Sequence, residues 1–430
     1  MRGPHELLAA ARRATAIPNL RRIRFPKVEW DFSGQTPRAI ANYSAMKPAR
    51  LTAQSLLLLG AVLLPAGALF SKDEPGDEAR RADLKTVSIL KSDFLKSVTC
   101  ISIPRDGKFL YASAFASNTV AVFKRDAETG KIENESWMEM PELQSAVSVR
   151  LSTDNLYAAV SAFGADTISL FKRDGNTGEL ILLDAATEGK DGSTGLDFVI
   201  DAAFSTDNRF LYTAASTGLG IFKIEKDKLA FVKAETGGGR IEGARAVVLS
   251  PDGNILYVAA HESGTVGVFR RDKETGKLET VQILADGEDG IGALAGAFRI
   301  ACSQDGRHVY VSSGRFFGDQ AVSAFATQAD GKLKLIEEHV NGTGGFTGFE
   351  GGNSIAISPD GRFVYAVASV SDRLARFRRD PESGRLTFLG SQVAGASASP
   401  GAAGLCFSPD GKFVYVADES SDSIVIFQQP

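Results

Sequence analysis

Residues 250–278 read SPDGNILYVAAHESGTVGVFRRDKETGKL, and this stretch decides the fold because it recurs. Its turn phrase appears as PRDG (104–107), STDN (152–155 and 205–208), SPDG (250–253), SQDG (303–306) and SPDG again (358–361 and 408–411). The aspartates of these turns, Asp106, Asp154, Asp207, Asp252, Asp305, Asp360 and Asp410, recur every 45 to 55 residues. Two aromatic series keep step with them. Tyr111, Tyr157, Tyr212, Tyr257, Tyr310, Tyr365 and Tyr415 follow the turns, and the only other tyrosine is Tyr43. Phe123, Phe171, Phe222, Phe269, Phe325, Phe377 and Phe427 follow the tyrosines. A period of this length marks repeated supersecondary units that bury their apolar faces against one another.

Each unit reads as four short strands. In the fourth, these are ARAVVLS (A), NILYVAA (B), TVGVFRR (C) and KLETVQIL (D). Alternation and β-branched or aromatic content favour strands over helices. PDG and DxxTGK supply turn chemistry, with glycine where φ becomes positive. The expectation is an all-β chain, a seven-bladed β-propeller of four-stranded blades over residues 86–430. The last unit stops after strand C, at SIVIFQQP, while DLKTVSILKSD (83–93) looks like a strand D without a unit. Residues 86–92 are therefore expected to complete the last blade, so that an N-terminal strand closes the ring and covers its open edge.

The first part of the chain differs. Residues 1–45 form a basic leader carrying Arg12, Arg13, Arg21, Arg22 and Arg24, and Met46 offers an alternative start. Residues 46–70 place Lys47 and Arg50 before the apolar run Leu56–Leu64 and Ala66-Gly67-Ala68 after it. That is the order of a secretory signal peptide, or of an uncleaved signal anchor. Residues 71–85 read as a linker. The protein is expected to be exported to the periplasm or cell envelope, and to touch a membrane only through such an anchor.

Composition narrows the function. The net charge is −4, and basic residues beyond the leader alternate with acids, so the electrostatic footprint of nucleic-acid binding is missing. Cys100, Cys302 and Cys406 share no repeat position and read as small buried residues. With four histidines scattered over the chain, a three-histidine metal site is out of reach. The acidic glycine loops at 189–192 and 286–290 offer oxygen donors for calcium, yet not at EF-hand spacing, and they read as solvated turns rather than as a calcium site. No cofactor is expected. Trp137 is the only tryptophan after the leader, against a quinone-docking propeller, and no phosphate-cradling glycine loop precedes a helix.

Meander connectivity puts A–B and C–D turns on one face and B–C and D–A loops on the other. The repeated phrases belong to the first face. The irregular loops, where binding is usually built, belong to the second. His261, Glu262, Arg245, Arg299 and Arg315 all fall there.

Seven units of SPDGxxxYV…VxVFxRDxxTGxL resemble the lactonase-type seven-bladed propellers, which include 6-phosphogluconolactonase-like proteins and fungal muconate-lactonising enzymes. The resemblance covers residues 86–430. It implies a site at the channel mouth. Gly243-Ala244-Arg245-Ala246 resembles the family's GPRH stretch, with arginine kept and histidine replaced by Ala246. Glu262 resembles the family's glutamate after strand B, and Arg315 its later arginine. A further family histidine has no counterpart in QSAVSV or LDFVIDAAF. The implied chemistry is hydrolytic opening of a small acidic, sugar-type lactone. Glu262 or His261 would take a proton from water, Arg245 would polarise the carbonyl, and Arg315 and Arg299 would bind substrate. The alternatives are an Arg245–Glu262 structural ion pair with a solvated His261, and a non-catalytic envelope propeller, expected monomeric, that binds a protein or glycan through the loop face.

Overall fold

The computed structural model describes residues 84–396 and 399–430, with residues 134 and 135 described by backbone alone. It also describes a short antiparallel pairing of Trp30–Asp31 with Arg38–Ala39. The stretch 46–70, read above as an export signal, lies outside the described residues.

Seven four-stranded antiparallel sheets follow in chain order. Blade 1 is Val98–Ser102, Phe109–Ala114, Thr119–Arg125 and Ile132–Glu139; blade 2 is Ala146–Leu151, Tyr157–Ala162, Thr167–Arg173 and Leu180–Thr187. Blade 3 is Asp201–Phe204, Phe210–Ala215, Gly218–Glu225 and Lys228–Glu235; blade 4 is Ala244–Leu249, Ile255–Ala260, Thr265–Arg271 and Leu278–Ala285. Blade 5 is Ala297–Cys302, His308–Ser313, Ala321–Thr327 and Leu333–Val340; blade 6 is Gly352–Ile357, Phe363–Ala368, Arg373–Arg379 and Leu386–Val393. Blade 7 contributes Ala402–Phe407, Phe413–Asp418 and Ser423–Gln428, and its outer strand is Lys85–Lys91, paired antiparallel to Ser423–Gln428. The closure expected from the two termini is formed, one residue earlier than the sequence suggested. The innermost strands, A, pack side by side around a ring, that of blade 7 against that of blade 1.

The turn phrase works by local hydrogen bonding. In blade 4, the Ser250 hydroxyl donates to Asp252 (2.5 Å) and accepts from the Ile255 amide (2.9 Å), while the Asn254 amide donates to Asp252 (3.1 Å). Gly253 takes φ +70°, which glycine alone adopts freely. These bonds turn strand A into strand B within five residues.

The tyrosine and RDxxTG series meet between blades. Arg271, last residue of strand C in blade 4, has a fully buried side chain that reaches back to blade 3. Its Nε donates to Tyr212 Oη (2.8 Å), Nη2 to Asp207 (3.0 Å), and Nη1 to its own blade's Gly253 carbonyl (3.4 Å). Tyr212 in turn donates to the Gly276 carbonyl of the TG turn (2.9 Å). Arg173 holds Tyr111 and Asp106 in the same way, and Arg379 holds Tyr310 and Asp305. Arg125 holds Tyr415, with Asp410 at 3.7 Å. The remaining seams use other partners for the tyrosine: Asp227 for Tyr157, Gln429 for Tyr365, and Thr327 for Tyr257. The recurrence seen in the sequence is thus an inter-blade latch.

Candidate functional site

Strand A carries a β-bulge near its loop-face end in every blade except the third. A bulge re-aims one side chain. In blade 4 the extra residue is Arg245, between the pairs Ala244–Ala260 and Ala246–Ala259. In blade 5 it is Phe298, and Arg299 is the next residue, paired with Ser312. Arg245 and Arg299 therefore do not occupy matching places in their blades. They are offset by one residue, and so they do different things.

Arg245 turns toward the exposed Glu262, with Nη2 3.3 Å from Oε1. Arg299 turns inward: its Nη1 donates to the Arg245 carbonyl (2.6 Å) and lies 3.5 Å from Asp201. Asp201 is buried and also accepts from Arg150 Nε at 2.7 Å, so one carboxylate joins blades 2, 3 and 5. Arg315, in the B–C loop of blade 5, donates to Asn353 Oδ1 (2.9 Å) and to Glu419 (2.7 Å). Its guanidinium lies 5.4 Å from the Phe298 ring centroid and 5.0 Å from that of Phe316, and Arg299 lies 5.4 Å from Phe298 on its own account.

His261 is not a solvated loop residue. It follows strand B directly, its amide donates to the Gly243 carbonyl (2.9 Å), and it is only 2% exposed. Phe298, Phe316 and Phe317 meet its ring edge-on at 5.8, 5.6 and 4.4 Å between centroids. Neither ring nitrogen has a hydrogen-bond partner, and the same holds for Arg245 Nε. Burial, then the charges of Arg245 and Arg315, push its pKa down to about 4. The imidazole is neutral at pH 7, a buried acceptor beside two guanidinium groups.

The cluster is therefore four guanidinium groups (Arg150, Arg245, Arg299, Arg315) against three carboxylates (Asp201, Glu262, Glu419). Arg315 is close enough to oppose the charge on both Arg245 and Arg299. An excess positive charge in a partly desolvated mouth attracts a carboxylate or phosphate and can stabilise an oxyanion.

All five residues singled out from the sequence sit in or beside this cluster. Arg150, Asp201, Phe298, Asn353 and Glu419 escaped the sequence reading. Two left a signal. Asp201 and Arg150 are charges in strand A segments that otherwise read as apolar, and Glu419 follows strand B of blade 7 as His261 follows strand B of blade 4. No metal-binding group of three or more suitable side chains occurs among the described residues. Cys100, Cys302 and Cys406 are unbridged thiols.

The buried histidine has a measurable consequence. Its native pKa of about 4 lies below the unfolded value near 6.5, so between these pH values the unfolded chain binds the extra proton. Stability should fall as pH drops from about 6.5 to 4, by up to about 3 kcal/mol from this residue. In a His261→Leu variant the unfolding free energy, followed by denaturant titration, should lose that part of its slope. An unchanged slope would mean that the ring titrates freely in the folded protein.

The repeat architecture has a counterpart among known proteins. The profile described as "Lactonase, 7-bladed beta-propeller" matches residues 76–195, 199–291 and 295–429. The chain belongs to this lactonase family. Among curated relatives, the 6-phosphogluconolactonase of Bacillus subtilis is 26% identical over 198 residues, 45% of this chain and 53% of the relative. The match thus spans about half of that relative's length. Among solved structures, the periplasmic gluconolactonase of Pseudomonas aeruginosa superposes with a TM-score of 0.57 at 22% identity, covering 70% of this chain and 86% of that one. A chain of the hydrazine synthase of Kuenenia stuttgartiensis superposes with a TM-score of 0.60 at 17% identity, covering 79% and 97%. Likenesses at this identity show the shared propeller. They do not separate the lactonase family from propellers with other tasks.

Proposed function

We propose that this lactonase-family propeller is an exported hydrolase that opens a small lactone bearing an acidic group. The observation that carries this reading is the blade 4–5 mouth. There, an exposed carboxylate, Glu262, adjoins a net-positive cluster whose Arg245 Nε and His261 ring nitrogens are buried without partners. Buried polar atoms of this kind gain most from a ligand that satisfies them.

In the proposed reaction Glu262 accepts a proton from water as the oxygen attacks the ring carbonyl carbon. Arg245 stabilises the oxyanion, the acyl–oxygen bond breaks, and the leaving ring oxygen takes the proton back from Glu262, giving the hydroxy acid and restoring the carboxylate. Arg315 binds the substrate's carboxylate or phosphate. Arg299, hydrogen-bonded to the Arg245 carbonyl and ion-paired with Asp201, acts as a positioning residue. His261 stays neutral and offers an acceptor. The signal-like stretch 46–70 supports export, and cell fractionation of the full chain tests it.

The deciding assay is hydrolysis of a panel of acidic sugar and muconate-type lactones. Arg245→Ala and Glu262→Gln should each lower kcat/KM by roughly 100-fold or more. Folded protein without turnover on this panel would favour a second reading, a non-catalytic propeller that binds a protein or glycan. The loop face offers that reading an apolar rim: Phe198, Phe316, Phe317 and Val370 are 47%, 63%, 58% and 60% exposed. Phe198 stacks on Phe163 with centroids 4.8 Å apart and holds φ +49°, a strained conformation for a bulky residue.

A further inference from the structure

The opposite face, made of the uniform turns, carries a site of its own. Four seams between blades are closed by an arginine from the end of strand C. Its three contacts are always of the same kind: the tyrosine hydroxyl and turn aspartate of the preceding blade, and the A–B turn carbonyl of its own blade. Between blades 4 and 5 the residue at that place is Thr327. The backbone equivalence is secure. The Thr327 amide donates to Arg307 as that of Arg271 donates to Asn254 and that of Arg379 to Arg362. Gly331 packs on Ile255 as Gly276 packs on Phe210.

The acceptors that an arginine would use are nevertheless all retained. Tyr257 is fully buried, and its hydroxyl has a single contact, Thr327 Oγ1 at 3.5 Å. In four latched seams the equivalent hydroxyl instead donates to a TG-turn carbonyl at 2.6–2.9 Å. Asp252 bonds only to Ser250 and Asn254 side chains and backbone of its own turn. Lys273, whose charge acts on this carboxylate, donates to the Asp252 backbone carbonyl. The turn of Gly306 supplies the third position. Asp252, Tyr257, Gly306, Thr327 and Gly331 line a cavity of about 530 Å³ in this seam. The other charged groups there are Arg271 and Asp305, each committed to its own latch, and Arg270 and Asp330, joined through the Asp330 carbonyl.

We propose that the blade 4–5 seam is a binding site for a guanidinium group, supplied by a free alkylguanidine or by an arginine of a peptide. The planar fork of a guanidinium meets a carboxylate, a hydroxyl and a carbonyl at once, as the four chain arginines do. A compact ammonium meets them one at a time. The aromatic platform of the latched seams, Phe210 under Arg271 for instance, is Ile255 here, so binding rests on hydrogen bonds and charge. This inference is independent of the lactonase reading.

Isothermal titration of the full chain with butylguanidine, butylamine and a short acetylated arginine peptide tests it. Butylguanidine should bind saturably and at least tenfold tighter than butylamine. Asp252→Asn should weaken it tenfold or more. Thr327→Arg should abolish it and raise the melting temperature, because the tethered side chain takes the site. The peptide arm distinguishes the sources: binding with equal affinity admits a protein partner's arginine, and binding of butylguanidine alone restricts the site to small molecules. Absence of butylguanidine binding, or binding left unchanged by both Asp252→Asn and Thr327→Arg, would overturn the proposal.

Discussion

Replacing Asp201 by asparagine should destabilise the propeller by about 3 kcal/mol and lower its melting temperature by roughly 4 °C. The carboxylate is 2% exposed and is the charge partner of Arg150 at 2.7 Å and of Arg299 at 3.5 Å. The variant keeps volume and shape, removes the charge and turns one acceptor oxygen into an N–H donor, leaving Arg150 and Arg299 without the counter-ion they share. Arg150 retains some contact with solvent, its side chain being 32% exposed, which places the effect at the low end for a broken buried pair. Glu262→Gln is the control. Its ion pair with Arg245 is exposed on the carboxylate side and should be worth less than about 1 kcal/mol. Denaturant unfolding of both variants separates the cases. A wild-type-like Asp201→Asn would mean that solvent, not Asp201, balances the cluster.

The second large effect belongs to the latch. Arg271→Ala should cost about 3–5 kcal/mol, since it removes a fully buried side chain that bonds Tyr212, Asp207 and Gly253 and lies 5.3 Å from the Phe210 ring. It should also change the acid limb of stability. Burial tends to raise the Asp207 pKa, but the Ser205 hydroxyl and Arg271 outweigh it and hold the carboxyl well below the usual range. Asp305 is held in the same way, by Ser303 and Arg379, at about 2. For a depressed carboxyl the unfolded chain takes up protons first. This stability is present above about pH 4 and is lost as pH falls toward 2. In Arg271→Ala the part of that loss due to Asp207 should shrink, and unfolding curves collected from pH 5 to 2 read it directly. An acid limb identical to wild type would place the depression in the turn alone.

Much of this was legible in the residues. The turn phrase carries its own hydrogen bonds, so SPDG specifies the A–B turn wherever it stands. The period of the tyrosines gave the blade count, and the missing last strand, set against DLKTVSILKSD, gave the closure. These are local signals repeated seven times, and repetition lifts them above the ambiguity of any one copy. The candidate site was legible only as a list. Arg245, Glu262, Arg299 and Arg315 were placed on the correct face by strand parity, yet their roles were not. One bulge residue separates Arg245, which turns toward Glu262, from Arg299, which turns toward Asp201. A bulge leaves no mark in alternation that a reader could count.

Sequence alone determined the propeller, its seven blades, its closing strand and the face on which irregular loops gather, because each depends on short-range turn chemistry and on the two-residue period of strands. Tertiary structure decided what those loops make. Asp201 joins arginines of blades 2 and 5, Arg315 reaches Glu419 of blade 7, and three phenylalanines enclose His261. These contacts span 37 to 104 residues of chain and exist only once the blades have packed together. Burial and neighbouring charge, rather than residue type, then set which of these groups is charged, which is neutral and which is left without a partner.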